Sequence, residues 1–305
     1  MTLDASAAGV LDALRAVGGP PMSSLTPADA RAAYAGLALL TGEGPEVAGV
    51  AHRTIGGVPA VVVTPHGDGP LPVLVWMHGG GWTIGAADET VGTCRILAAK
   101  AGCIVVSLDY RLAPEHKAPA AYDDALAAIE WVLQHAGELG GDPSRVAVGG
   151  ESAGGQLSAA AAQHFGDRLA FQLLVFPATD CSREYPSMAE NADGYLLTAD
   201  VMRWFYGHYV EGSGLDRTDP RLSPLLAADE VVAGVAPALV ITAGYDPLRD
   251  EGEAYAARLQ ACGVPVVHRP FPSQIHLFFS LGAMVPEAGE AHNLAAGMLR
   301  EAFAR

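Results

Sequence analysis

From about residue 58 onward, the pattern of apolar and polar positions alternates between short β-branched runs and longer helical stretches. Each short run is apolar almost throughout, which is typical of parallel strands buried on both faces. Residues 120–139 and 251–261 place apolar side chains at helical spacing. The alternation predicts a mostly parallel sheet covered by helices on both faces. The predicted strands are 58–64, 73–77, 104–109, 145–149, 171–176, 238–243 and 266–271.

Two segments break this rhythm. Residues 1–45 are rich in alanine and helical in character, and residues 180–222 are rich in aromatic side chains. We expect the first segment to form N-terminal cap helices and the second to be a cap insertion into a main α/β domain of residues 46–305. The alternative is that the aromatic side chains only pack a satellite core. These side chains are Tyr185, Tyr195, Trp204, Phe205, Tyr206 and Tyr209.

Composition and charge narrow the class of protein. Half of the 305 residues are hydrophobic and 17% are charged, which is typical of a chain with a large buried core. The 34 acidic and 18 basic residues give a net charge of −16, and no basic run could follow a phosphate backbone. Nucleic acid and anionic lipid are therefore excluded as expected partners, and the acidic surface indicates solubility.

Cysteine spacing and the N-terminus indicate the compartment. Cys94, Cys103, Cys181 and Cys262 are scattered, without the paired spacing of a zinc or redox site, so we expect reduced thiols and no metal. No basic segment precedes an apolar stretch at the N-terminus, and no apolar run is long enough to cross a bilayer. These features predict a soluble, cytoplasmic protein.

Residues 150–154 read Gly-Glu-Ser-Ala-Gly and lie between a predicted strand and an Ala-rich segment that resembles a helix. A Gly-x-Ser-x-Gly sequence at a strand–turn–helix junction is typical of a nucleophile elbow, which exposes the serine hydroxyl at the carboxyl end of the sheet. The glycines allow the strained turn because a Cβ at either position would collide with a neighbouring strand or helix. Ser152 is the predicted nucleophile.

Residues 78–82 read His-Gly-Gly-Gly-Trp and directly follow another predicted strand. This is where such a fold supplies backbone N–H groups to an oxyanion, and glycines let the main chain approach the substrate oxygen. We expect donors at Gly79 and Gly80, with the N–H of Ala153 as the third. A phosphate loop is the alternative, but the Gly-Lys-Ser/Thr ending is missing. We interpret His78 as an anchor of the loop.

The chain order serine, acid, histidine predicts the other two catalytic groups. Asp246 and His276 each lie just past a predicted strand, so both side chains should reach the sheet edge that carries Ser152. The imidazole would accept the hydroxyl proton, and the carboxylate would orient the imidazole.

Other histidines and acids near these positions are weaker candidates. His268 falls within a predicted strand, and His292 lies in the terminal helical stretch. Asp250 and Glu251 belong to the helix after Asp246, where acidic residues are favoured in the first turn.

Four motifs together resemble those of the hormone-sensitive-lipase-like esterases, bacterial family IV of the α/β-hydrolase superfamily. They lie at residues 78–82, 109–115, 150–155 and 246–251, and the similarity extends from about residue 55 to the C-terminus. The resemblance implies an α/β-hydrolase fold with an eight-stranded sheet and a helical cap, and hydrolysis of short- to medium-chain acyl esters without a cofactor.

The same resemblance suggests a homodimer formed through an edge strand. It also implies mainly structural roles for Arg111 and Glu115, which agrees with a local ion-pair cluster.

Two positions depart from the family pattern. Glu151 stands where an aspartate is more frequent, and we expect little change in chemistry because the charge is kept. Leu277 follows His276 where a glycine is common. Together with Phe278 and Phe279, Leu277 is expected to narrow the pocket beside the base.

The sequence thus predicts a carboxylesterase that forms an acyl-enzyme on Ser152. Amide, lactone or carbamate hydrolysis is the enzymatic alternative, because the same triad serves any acyl transfer. A small-molecule receptor is the non-enzymatic alternative, and the presence of His276 argues against it. The candidate substrate-binding residues are Trp82, Trp204, Phe205, Tyr209 and Leu277.

Overall fold

The computed structural model describes residues 2–36 and 40–305, and eight of its strands form one sheet. The strands are β1 (Gly49–Ile55), β2 (Val58–Thr64), β3 (Leu71–Met77), β4 (Ile104–Leu108), β5 (Gly141–Glu151), β6 (Phe171–Val175), β7 (Ala238–Tyr245) and β8 (Val266–Ile275). Their order across the sheet is β1-β2-β4-β3-β5-β6-β7-β8. Strands β3 to β8 run parallel, whereas β2 pairs antiparallel with both β1 and β4. The predicted mostly parallel sheet is confirmed.

Strand β1 was not predicted from the apolar pattern. It lies at the edge of the sheet, and most of its side chains are exposed, so its sequence carries little apolar signal. The other strands begin and end within a few residues of their predicted bounds, except that β5 begins four residues earlier and β8 extends four residues further.

Helices lie on both faces of the sheet. Those in the described residues are α1 (Ala5–Val17), α2 (Pro27–Ala35), α3 (Val91–Ala101), α4 (Ala120–His135), α5 (Ala153–Phe165), α6 (Pro186–Glu190), α7 (Ala199–Tyr209), α8 (Asp229–Ala233), α9 (Arg249–Ala261) and α10 (Glu287–Phe303). The predicted helix 120–139 is α4 followed by a 3-10 turn at Ala136–Leu139. None of these helices is long and apolar enough to cross a membrane.

Successive side chains of the central strands point to opposite faces of the sheet and pack into two separate apolar layers. Val75 of β3 belongs to the apolar cluster that includes side chains of α4, α5 and α9, whereas its neighbour Trp76 belongs to the cluster that includes side chains of α1, α3 and α10. Both side chains are fully buried. This two-sided burial explains why the strands are apolar at nearly every position.

The N-terminal helices are held against the main domain by polar contacts. Arg31 of α2 pairs with Glu115 at 2.6 Å and also donates to the carbonyl oxygen of Thr83, at 2.9 Å. The hydrogen bond from Arg31 lowers the pKa of Glu115 to about 2. Arg111 pairs instead with Asp124, at 2.7 Å. The expected ion-pair cluster is therefore two separate pairs, because the side chains of Arg111 and Glu115 meet different helices.

The turn between β1 and β2 offers a matched test of backbone constraint. Gly56 and Gly57 both have positive φ, at 58° and 87°. A Cβ at Gly56 would overlap the carbonyl oxygen of Ala127 in α4, whereas a Cβ at Gly57 meets nothing within 4 Å. We expect Gly57→Ala to cost roughly 1–2 kcal/mol through backbone strain alone. Gly56→Ala should cost about 3 kcal/mol or more, because α4 must also move.

Urea denaturation of the two variants measures the difference in the free energy of unfolding. Equal losses in both variants would contradict the role assigned to the contact with α4.

Candidate active site

Ser152 lies at the sharp turn between β5 and α5. Its backbone has φ 57° and ψ −117°, a strained combination for a residue with a side chain. The turn lies so close to the end of β3 that a Cβ at either Gly150 or Gly154 would overlap the carbonyl oxygen of Met77. The glycines of the motif therefore permit the geometry that holds Ser152 at the carboxyl end of the sheet.

His276 and Asp246 form a buried pair at the same end of the sheet. The Nδ1 atom of His276 lies 2.7 Å from Oδ2 of Asp246. The other carboxylate oxygen of Asp246 accepts the N–H of Leu248 at 2.8 Å. Asp246 is fully buried and His276 is 3% exposed. Because Nδ1 is engaged by the carboxylate, only Nε2 of His276 can act on another group.

The competing acids and histidines are placed elsewhere. Glu251 is buried in the first turn of α9 and accepts the N–H of Thr179 at 2.7 Å. Burial raises the pKa of Glu251 well above its usual range. Asp250 lies in the same turn, His268 lies in β8 and His292 lies in α10.

The glycine loop after β3 approaches Ser152 through its second and third glycines. Gly80 and Gly81 have φ of 115° and 54°, and both line a cavity together with Ser152 and His276. We call this space the serine cavity. A Cβ at Gly81 would overlap the ring of Phe205, so the loop tolerates no side chain there.

Gly79, in contrast, does not line the serine cavity. A Cβ at Gly79 would lie 3.2 Å from Cγ of Glu151, so this glycine packs directly on the glutamate side chain. Its backbone N–H lowers the pKa of the Glu151 carboxyl. Gly79 lines a second cavity with Glu151. The sequence predicts oxyanion donors at Gly79 and Gly80, and of these two only Gly80 lines the serine cavity. The turn of the loop also carries Gly81 to this cavity, and the spacing of the three glycines gives no signal for that placement.

Ala153 is the first residue of α5, and its N–H is one of the first-turn donors for which a helix has no internal acceptor. The side chain is 1% exposed and lies directly after Ser152. The N-terminus of α5 therefore presents a free donor and a partial positive charge beside the serine.

His78 has the environment of a structural anchor. It is 1% exposed, its ring stacks on Tyr110 at a centroid distance of 4.3 Å, and its Nδ1 lies 2.6 Å from the carbonyl oxygen of Gly79. The hydroxyl of Tyr110 donates to the carbonyl oxygen of His78 at 2.7 Å. Burial lowers the pKa of His78, so the ring stays neutral and holds the loop.

The serine cavity has a volume of about 50 Å³. Of the predicted substrate-binding residues, Phe205 and Leu277 line it. The remaining lining is mostly aliphatic, and the sequence does not predict it because aliphatic side chains of a cavity wall carry the same pattern as those of the core. The missed lining residues are Met22, Tyr34, Ile84, Leu196, Leu197 and Val201.

Trp82, Trp204 and Tyr209 lie outside this lining. Trp82 is fully buried, stacks on Tyr209 at 4.7 Å and donates its Nε1–H to Gln156 at 2.9 Å. Trp204 packs edge-on against His208 on the same helix, at 4.4 Å. The stack of Trp82 on Tyr209 therefore packs α7 against the glycine loop, whereas the ring contacts of Trp204 lie within α7.

Glu151 connects the segments around the serine. It is 1% exposed, and its Oε2 accepts the hydroxyl of Ser280 at 2.6 Å. Ser280 lies in the 3-10 turn just after His276. Burial raises the pKa of Glu151, whereas the hydrogen bonds of Ser280 and Gly79 lower it. Glu151, the residue before Ser152, thus contacts two loops. One is the glycine loop, and the other is the segment after β8 that carries His276 and Ser280, which we call the histidine loop.

The fold and this arrangement define an α/β hydrolase. Residues 74–280 match the protein family described as the alpha/beta hydrolase fold, and the chain belongs to it. A solved structure of an alpha/beta hydrolase enzyme from the metagenome of Lake Arreo superposes with a TM-score of 0.94 at 40% identity, covering 100% of this chain and 99% of that one.

Within this family, the chain is similar in sequence to carboxylic ester hydrolases. It is 47% identical over 235 residues to carboxylic ester hydrolase LipN of Mycobacterium tuberculosis, a match that covers 74% of this chain and 62% of LipN. It is 40% identical over 222 residues to ethyl acetate hydrolase of Pseudomonas putida, covering 71% and 69% of the two chains. The resemblance to the hormone-sensitive-lipase-like esterases is confirmed.

The contact between Ser280 and Glu151 yields a stability prediction. Ser280→Ala removes the hydroxyl donor from a buried carboxylate, which should cost about 1–3 kcal/mol. Ser144→Ala is the matched control, since Ser144 is exposed and its hydroxyl also donates to a carboxylate, that of Asp142, at 2.7 Å. The control should change stability by less than about 0.5 kcal/mol. Chemical denaturation of both variants checks this, and equal effects would contradict it.

Proposed function

We propose that this protein is a carboxylesterase that hydrolyses short-chain acyl esters with Ser152 as nucleophile, His276 as general base and Asp246 as the orienting acid. The observation that carries the proposal is the buried pair of His276 and Asp246, 2.7 Å apart, whose imidazole lines the same cavity as Ser152. The carboxylic ester hydrolases among the relatives support the ester as substrate.

In the first half of the reaction, the hydroxyl oxygen of Ser152 attacks the ester carbonyl carbon while Nε2 of His276 accepts the hydroxyl proton. The carbonyl π electrons move to the oxygen, which becomes an oxyanion. The oxyanion collapses, the bond to the alcohol oxygen breaks, and the imidazolium returns its proton to the departing alcohol. The product of this half is an acyl-enzyme on Ser152.

In the second half, Nε2 of His276 accepts a proton from water as the water oxygen attacks the acyl carbon. The second tetrahedral intermediate expels the oxygen of Ser152, which regains the proton from the imidazolium. The acid is released and the enzyme returns to its starting state. The chemistry uses protein groups and water throughout.

Asp246 acts through the imidazole. Its carboxylate accepts the Nδ1–H of His276, which leaves Nε2 unprotonated and ready to act as the base. The same carboxylate stabilises the imidazolium that forms in each half-reaction. The hydrogen bond from the Leu248 N–H keeps the carboxylate in place.

We assign the oxyanion donors to the N–H groups of Gly80, Gly81 and Ala153, with Gly81 rather than Gly79 as the second donor of the glycine loop. Gly80 and Gly81 line the serine cavity, which supports this assignment. Each such donor is typically worth about 10²–10³ in turnover.

The helical segments outside the main domain would form a cap over this site. Met22 and Tyr34 come from the N-terminal segment, and Leu196, Val201 and Phe205 come from the segment between β6 and β7. Their contribution to the cavity wall supports the cap and gives the serine an apolar, water-poor surrounding.

Substitution of the nucleophile tests the proposal directly. Ser152→Ala should lower turnover of p-nitrophenyl esters by about 10³-fold or more, because no other group can form the acyl-enzyme. Steady-state hydrolysis of a series from acetate to laurate measures this, with Ser144→Ala as control. Unchanged turnover of the shorter esters in Ser152→Ala would refute the assignment.

Substitution of the orienting acid tests the triad separately from the nucleophile. Asp246→Asn keeps the shape of the side chain but favours the wrong histidine tautomer, so kcat should fall by about 10⁴-fold, as in other serine hydrolases. Asp250→Asn is the control for the competing acid and should lower kcat by less than about 10-fold. The assignment fails if Asp250→Asn has the larger effect on kcat.

A further inference from the structure

Leu277 has a backbone conformation that leucine seldom adopts. It follows His276 directly, with φ 68° and ψ 0° in the left-handed region. This conformation costs a residue with a Cβ roughly 1–2 kcal/mol relative to glycine. Asparagine or aspartate can offset part of that cost with a local hydrogen bond, but the apolar side chain of leucine cannot. Strain of this kind beside a reactive group points to a use for the side chain itself.

The side chain stands between two cavities. Leu277, Tyr34 and Leu196 line both the serine cavity and the second cavity, so these three residues form the wall between them. The second cavity has a volume of about 30 Å³, and we call it the rear cavity. Tyr34 and Leu196 belong to the cap segments. Leu277 is the part of the wall that lies on the histidine loop.

Both cavities have mainly apolar surfaces. The serine cavity is lined mostly by aliphatic and aromatic side chains, apart from Ser152 and His276. The residues that line the rear cavity include Glu89, Glu151 and His78. The Leu277 side chain therefore keeps the serine cavity short and separates it from the rear cavity.

We propose that Leu277 is a specificity-determining residue that limits the length of one arm of the ester by closing the rear cavity. This inference rests on the proposed esterase function. Without the Leu277 side chain the two cavities form one longer space, which begins beside the base and ends at Leu281 and Thr41. An arm that is too long for the wild-type cavity then fits, because its last carbon atoms enter the rear cavity.

Two substitutions of Leu277 distinguish the effect of removing the wall from the effect of relieving backbone strain. Leu277→Ala removes the wall but keeps a Cβ at positive φ, whereas Leu277→Gly removes both. We expect both variants to raise the ratio of kcat/KM for p-nitrophenyl hexanoate over acetate, or for hexyl acetate over ethyl acetate, by about 10-fold or more. The series that responds identifies the arm, acyl or alcohol, that points to Leu277. Leu277→Gly should also unfold at a higher temperature than Leu277→Ala, because only glycine relieves the strain.

One control variant enlarges the rear cavity without opening the wall. Leu281 lines only the rear cavity. Leu281→Ala should leave both ratios within about 3-fold of the wild type, because the arm cannot reach the rear cavity while the Leu277 side chain is in place. If Leu281→Ala raises either ratio as much as Leu277→Ala, the Leu277 wall does not limit the arm and the inference is overturned.

The inference and the proposed function fail in different ways. Unchanged ratios in both ester series, with acetate turnover retained in the Leu277 variants, would overturn the role of Leu277 and leave the esterase intact. Absence of ester turnover in the folded wild-type protein would overturn the proposed function itself.

Discussion

The strained turn at Ser152 requires three parts of the chain to come unusually close together. The end of β5, the start of α5 and the end of β3 meet where a Cβ at Gly150 or Gly154 would overlap the carbonyl oxygen of Met77. Such a contact holds only if the central strands are rigidly packed, and both faces of β3 are buried. The two apolar layers thus stabilise a backbone conformation that would be unfavourable in an isolated peptide.

Glu151 connects the strained turn at Ser152 to the glycine loop and the histidine loop. A buried carboxylate is costly unless it is hydrogen-bonded, and here the hydroxyl of Ser280 is the donor while Gly79 packs against the same side chain. The need to satisfy one buried group therefore fixes the histidine loop and the glycine loop relative to the serine. Glutamate at this position, rather than the shorter aspartate, places the carboxylate one methylene further from the backbone.

The cavity around the serine is assembled from parts that are far apart in the chain. The main domain contributes the glycine loop and the histidine loop, while residues 22–34 and 196–205 contribute the apolar wall. Arg31 connects the N-terminal part to the glycine loop through the carbonyl oxygen of Thr83. Changes in these two segments can therefore alter the cavity without touching the groups proposed to carry the chemistry.

Patterns among neighbouring residues were sufficient to predict the parallel sheet. They were also sufficient to predict that Ser152, Asp246 and His276 each follow directly after a strand. Apolar runs, glycine pairs and chain order are properties of neighbouring residues, and each has a direct backbone consequence. Strand β1 was not predicted from the sequence, because most side chains of this edge strand are exposed and need not be apolar.

Only the tertiary structure decided which side chains face the serine. Trp82 and Tyr209 stack on each other, whereas Leu196, Leu197 and Val201 reach the cavity, and periodicity does not distinguish these faces. The packing of Gly79 on Glu151 is likewise a contact across 72 residues of chain. Sequence determined the backbone framework because its causes are local, and packing between distant segments decided the shape of the cavity.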